Sequence, residues 1–171
     1  FKQADYVERQ TELCELALHN FPLLGLGHIR IHNRDGVSYL QEMLPVDCLF
    51  LDPARRDGHG GKTVAISDCE PDVTVLEPLL VDKAKKVMVK LSPMLDLSLA
   101  LNELKTVRAV HIVAVNNECK ELLLILQKES VSSEVSIHCE HIAGNGESRH
   151  YTFTLKQEKT SPCLLADEVG T

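Results

Sequence analysis

The feature that most constrains this chain is the order in which its apolar patterns change period. Stretches with apolar residues at alternate positions, or in one short run, take turns with stretches where they recur every three or four. The first pattern suits strands and the second suits helices. Ala4 to Val7 reads as a strand ending at Glu8. Thr11 to Phe21 sets Leu13, Leu16, Ala17 and Phe21 at helical spacing, with Thr11 as a candidate cap. His28 to His32 (HIRIH) alternates like a strand, and Val37 to Met43 reads as a short helix. Cys48 to Leu51 is an apolar strand. Pro71 to Ala84 reads as a helix opened by Pro71, with Val73, Leu76 and Leu80 inward. Val87 to Lys90 is a strand, Leu95 to Leu104 a helix with Leu97, Leu101 and Leu104 on one stripe, and Val107 to Val115 a strand. Glu118 to Lys128 is expected to be helical. Val135 to Ile142 and Tyr151 to Leu155 flank the turn AGNGES and read as a hairpin.

Strand, helix, strand, helix in repetition means right-handed parallel crossovers. The expected fold class is therefore α/β, a doubly wound, mostly parallel sheet with an antiparallel hairpin at its C-terminal end. A chain of 171 residues, 44% hydrophobic and 25% charged, can bury one ordinary core. Residues 1–156 are expected to form that domain and 157–171 a C-terminal linker. The net charge of −7 argues against a nucleic-acid-coating surface on this chain alone. It does not exclude a nucleic-acid substrate held by a separate domain. The longest apolar run, Leu122 to Leu126, is too short to span a membrane. The opening FKQADYVERQ lacks the apolar core and cleavage site of a signal peptide. The six cysteines form no C-x-x-C pair, so reduced thiols in a cytoplasm are the expectation, with no membrane partner. The segment IHCEHI invites a metal reading through His138, Cys139 and His141. Residues three apart on a strand face opposite ways, so ordinary strand positions are expected there and no metal site.

In parallel α/β sheets ligands bind at the carboxyl ends of strands. That makes Glu8, Asp35, Asp52 and the KLSP segment after Val89 the informative positions. An acid after the second strand of a Rossmann-like half accepts the two ribose hydroxyls of a nucleotide, and Glu8 is placed for that. Asp35, after the next strand, could accept the exocyclic amine of adenine, with Gly36 allowing close backbone approach. Asp52 ends the strand expected at the switch point, near the reacting group. Pro53 lacks a backbone donor and ends strand pairing cleanly. Asp52 could accept a hydrogen bond from an amine, and Arg55 could fork onto a phosphate or carboxylate. The glycines at 58, 60 and 61 are expected to leave the next loop mobile. Arg55 and Arg56 could equally pair with nearby surface acids.

The segments YVERQ, HNRDG, LFLDPARRD, VKLSPMLD and VNNECKELL, in that order, resemble a class I S-adenosylmethionine-dependent methyltransferase. More closely they resemble the methyltransferase with a THUMP-like domain found in Bacteroidota, over nearly the whole chain from about Asp5. The resemblance implies a Rossmann-like methyltransferase sheet with S-adenosyl-L-methionine as cofactor. It places Glu8 on the ribose, Asp35 with Gly36 beside adenine, and Asp52, Pro53, Ala54 and Arg55 at both the methionine end and the target. It also implies RNA as the substrate, through the THUMP-like domain. The first strand and its glycine-rich loop are expected to be lacking, since the GLG at 25–27 precedes a strand. A partial domain of that kind should be a poor enzyme alone and could self-associate through exposed sheet edges.

DPAR also resembles the motif of RNA uracil-C5 methyltransferases, which place a nucleophilic cysteine after the next strand. Leu91 stands there, which speaks against covalent attack on a pyrimidine. Ser92 and Pro93 could shape the target pocket, and Lys90 could contact a phosphate. Two rivals remain: a nucleotide hydrolase suggested by GGKT, and a non-catalytic scaffold that binds RNA or a protein partner. The first fails on spacing, because Arg56 stands where a P-loop needs its first glycine.

Overall fold

A computed structural model of the chain describes residues 2–55, 65–128 and 134–155. The expected glycine loop at 58–61, Arg56, the GGKT segment and the tail 157–171 lie outside the described residues. So does the side chain of Arg55. The chain divides into two compact units, Phe1–Pro45 and Val46–Thr171.

In the first unit, β1 (Ala4–Glu8) pairs in parallel with β2 (Ile29–Asn33). Between them runs α1 (Thr11–Leu23), which buries Cys14 and Ala17. Thr11 is not its cap. Gln10 holds the cap position, and Thr11 Oγ1 donates instead to Asn33 Oδ1 at 3.0 Å. That bond fastens the start of the helix to the end of the neighbouring strand. α2 (Gly36–Glu42) begins at Asp35, whose carboxylate accepts from Ser38 N–H at 2.8 Å. An acid at that place satisfies one of the orphan donors of the first turn.

The second unit is built on six strands. β3 (Val46–Leu51) leads through the two-residue strands β4 (Ala54–Arg55) and β5 (Cys69–Glu70) to α3 (Val73–Lys83). Then come β6 (Ala84–Leu91), α4 (Leu97–Glu103), β7 (Val107–Val115), β8 (Glu118–Leu126), β9 (Ser136–Ile142) and β10 (Ser148–Thr154). The sheet order is β10-β9-β7-β8-β6-β3. β3/β6 and β7/β9 pair in parallel, whereas β6/β8, β7/β8 and β9/β10 pair antiparallel. Four of the six strands therefore run one way, and β8 and β10 reverse. Pro71 lies outside α3; Asp72 caps it, accepting from Thr74 N–H at 2.9 Å. Asp96 caps α4 in the same manner through Leu99 N–H.

The main correction concerns Glu118 to Lys128, expected as a helix and found as strand β8. Glu, Lys and Leu favour helices, but that preference is a weak prior against tertiary context. Asn116 and Asn117 both have left-handed backbones (φ 50° and 64°) and join Val115 to Glu118, which face each other across the hairpin. A two-residue turn with both φ positive is the hairpin turn whose twist matches its strands. Downstream, Leu122, Leu124 and Leu126 are buried every second residue. They sit in register with Leu91, Val89 and Val87 of β6, also buried. Together with Val110 and Ile137 they line one face of the sheet, and α3 packs against β6 and against the turn at Ile66.

Of the six cysteines, Cys14, Cys48, Cys69, Cys119 and Cys139 form no disulfide among the described residues. Cys163 lies outside the described residues. No helix among the described residues is long and apolar enough to cross a membrane.

Candidate functional site

In the first unit, pairing of Glu8 with Asn33 brings the carboxyl ends of β1 and β2 side by side. Asn33 Nδ2 donates to Glu8 O at 3.1 Å and Arg9 O at 3.2 Å, and Arg34 N–H donates to Glu8 O at 3.0 Å. The rim is thus held by backbone acceptors, and the Glu8 carboxylate stands on it. Glu8 Oε1 accepts from Gln10 N–H at 2.7 Å. Asp35 Oδ1 receives both Ser38 N–H and Ser38 Oγ–H, and these donors lower its carboxyl from the ordinary value. Gly36 has open space where a Cβ would stand and an ordinary negative φ, so neither crowding nor backbone strain requires glycine there.

A cluster the sequence did not announce lies further back on the same two strands. Arg30 grips Asp5 with two hydrogen bonds, 2.7 and 2.8 Å, and His32 Nε2 approaches Asp5 Oδ1 at 2.8 Å. The Arg30 bonds lead in pulling the Asp5 carboxyl down to about 2. Parallel register sets Asp5 opposite Arg30, a pairing visible only once β1 and β2 are aligned.

In the second unit the strand ends enclose a cavity of about 270 Å³. Asp52 and Pro53 follow β3; Lys90 and Leu91 end β6; Ser92, Pro93 and Leu95 follow it. Five residues singled out from the sequence, Asp52, Pro53, Lys90, Ser92 and Pro93, line this one space. β5 adds Cys69, and β8 adds Lys120 and Glu121. Those three were missed. Lys120 and Glu121 stood on an expected helix, and nothing marked Cys69 as a pocket residue. The signal that could have found the first two was the Asn-Asn pair at 116–117.

Lys90 organises the charge. Its Nζ lies 2.9 Å from Asp52 Oδ2 and 3.7 Å from Glu121 Oε2. The Asp52 hydrogen bond, above all, raises the Lys90 ammonium from its usual range, against the pull of burial. Lys90 therefore stays charged and pairs with Asp52. The β7/β8 pairing slips where Val113 faces Glu121 and Ala114 faces Cys119, so Lys120 is the extra residue of a bulge. Bulges re-aim side chains, and here two consecutive residues both reach the cavity. Lys120 also pairs with Glu118 at 2.6 Å. The cavity thus combines carboxylates that take donors, ammonium groups that take acceptors, and an apolar wall from Leu91 and Leu95. Its volume is near the lower bound, about 300 Å³, of ordinary ligand clefts.

No protein-family model matches the chain, and no curated protein matches it. Solved structures do. The chain is similar to a "putative methyltransferase" from Porphyromonas gingivalis W83, with 32% sequence identity and a TM-score of 0.79, over 97% of this chain. It spans 42% of that protein's length. A modification subunit of a "putative type I restriction enzyme" from Vibrio vulnificus YJ016 matches at 11% identity and a TM-score of 0.48. That match covers 91% of this chain and 44% of the other, and no argument rests on it. The mixed α/β fold is that of a methyltransferase-like protein.

Proposed function

We propose that this chain is the catalytic part of a class I methyltransferase that uses S-adenosyl-L-methionine and acts on RNA in the cytoplasm, in a Bacteroidota-type protein with a THUMP-like region. The observation that supports it most is the 32% identity carried over 97% of the chain to a methyltransferase-like structure. The ordered segments ending in Glu8, Asp35 and Asp52 support the choice of cofactor, and the THUMP-like resemblance supports RNA.

When bound, the cofactor supplies an electrophilic methyl group on a sulfonium. The residues present suit such a ligand. Glu8 uses one carboxylate oxygen on Gln10, and its second would take ribose hydroxyls. Asp35 uses Oδ1 on Ser38, and Oδ2 would take the adenine amine. Their place at strand ends is where an α/β sheet presents ligands. In the second unit, Asp52 would accept a donor from the target or the amino group of the donor molecule. Lys90 pairs with Asp52 at 2.9 Å and fixes the direction of its side chain. Pro53, Ser92 and Pro93 form a stiff wall, which favours alignment and water exclusion over acid–base chemistry. Arg55 is assigned to a phosphate or carboxylate of the bound partner. Among the described residues β3 is the last strand of the six-stranded sheet, and a further strand or a second copy could pair there.

The test is transfer of labelled methyl from the cofactor by the full-length protein, comparing total RNA with protein as acceptor. Label should enter RNA and fall at least about a hundredfold with Asp52→Ala, the scale on which one well-placed polar group acts. Undiminished transfer by that variant would overturn the role of Asp52, and label in protein alone would overturn the substrate.

A further inference from the structure

Outside the candidate site, one row of polar side chains crosses the far half of the six-stranded sheet. Register sets His111 of β7 beside His138 of β9, and His138 beside Thr152 of β10. One step along, Glu140 of β9 faces His150 of β10. The His111 and His138 rings stack with centroids 4.6 Å apart, and His138 and His150 lie 6.0 Å apart. The hydrogen bonds are continuous. Ser136 Oγ is 3.1 Å from His138 Nε2, and His138 Nδ1 is 3.1 Å from Thr152 Oγ1. Thr152 Oγ1 is 2.8 Å from His150 Nε2, and His150 Nδ1 meets the Glu140 carboxylate.

The donor inventory fixes the protons. Glu140 only accepts, so His150 Nδ1 must donate and a neutral His150 must accept at Nε2. Thr152 then gives its single proton to His150 and accepts from His138 Nδ1–H. His138 Nε2 in turn accepts from Ser136. Every link has one donor and one acceptor, all pointing toward Glu140.

We propose that Ser136, His138, Thr152, His150 and Glu140 form a one-directional hydrogen-bonded relay that latches β10 onto β9 while both imidazoles are neutral. The relay crosses between the two strands twice, from His138 Nδ1 to Thr152 Oγ1 and from His150 Nδ1 to the Glu140 carboxylate. Thr152 is its centre, taking one proton and giving one, so the direction of every other link depends on it.

Imidazole nitrogen-15 spectra of the full chain test this directly. At about pH 7.5, His138 and His150 should both carry their proton on Nδ1, the minority tautomer of free histidine. Thr152→Val, which removes the central donor and acceptor, should quicken amide exchange in β10 about tenfold while β8 is unchanged. An Nε2–H tautomer at either histidine, or unchanged β10 exchange in Thr152→Val, would overturn the relay.

Discussion

Glu77→Ala offers the most quantitative probe of how the second unit is held together. Glu77 lies in α3 and is 7% exposed, the one buried charged residue among the described residues. A single carboxylate oxygen accepts from Lys105 N–H at 2.8 Å, Thr106 N–H at 2.7 Å and Thr106 Oγ1 at 2.6 Å. Those donors belong to the segment between α4 and β7, so Glu77 ties the end of one crossover to the start of the next strand. A hydrogen bond to a charged acceptor contributes about 1.5–3 kcal/mol net, and each partly buried donor left unpaired costs about 1–3 kcal/mol. Three bonds sharing one oxygen do not add fully, which puts Glu77→Ala at about 3–5 kcal/mol of lost stability. Glu77→Gln keeps an acceptor oxygen and removes only the charge, and should cost about 1–2 kcal/mol. Urea unfolding followed by circular dichroism, with amide exchange of Val107 and Val110 reporting on the β7 end, measures both. Equal losses for the two variants, or under about 1 kcal/mol for Ala, would refute the reasoning.

Two further predictions follow from local geometry. Asp5 has a folded-state value of about 2 against an ordinary 3.8, so its pairing with Arg30 and His32 stabilises the first unit above about pH 4. That contribution should fade as pH falls toward 2, and a carboxyl carbon-13 titration that places Asp5 near its ordinary value would contradict it. At the β7/β8 turn, Asn117→Gly should be neutral or slightly stabilising, whereas Asn117→Val should cost about 1–2 kcal/mol, because only glycine and asparagine visit left-handed backbone cheaply. Thermal melting of the two variants checks this, and equal melting points would remove the turn from the account of β8.

Much of the fold was legible because burial leaves a period in the sequence. VRAVHIVAV was read as a strand with its observed limits, Val107–Val115. The second crossover was found to within a few residues, from Leu97, Leu101 and Leu104 around α4. Helix starts were harder. Thr11 and Pro71 fit the statistics of caps and first turns, yet Gln10 and Asp72 hold those positions. Choosing among adjacent polar residues depends on backbone angles the sequence does not display. β8 failed for a different reason. ECKELLLILQK satisfies both a helical and a strand reading, and only the Asn-Asn turn before it decides. That failure hid Lys120 and Glu121, half of the charge lining the cavity. The strand-end rule, by contrast, found Asp52, Lys90 and Ser92, because loops at the carboxyl ends of parallel strands must converge. What it could not supply was their partners. Lys90 was read as able to contact a phosphate, and the structure adds its ion pair with Asp52. The Asp5–Arg30 pair and the histidine row depend on cross-strand register, which a single sequence leaves open.

The measurement that bears most directly on the central claim is calorimetric titration of S-adenosylmethionine into the full-length protein and its Glu8→Gln variant. The account predicts one site per chain, with affinity reduced at least about tenfold when the Glu8 carboxylate is lost, the cost of a missing charge-assisted bond to a ribose hydroxyl. Absence of any binding heat in the unaltered protein, or identical affinity in the variant, would contradict it.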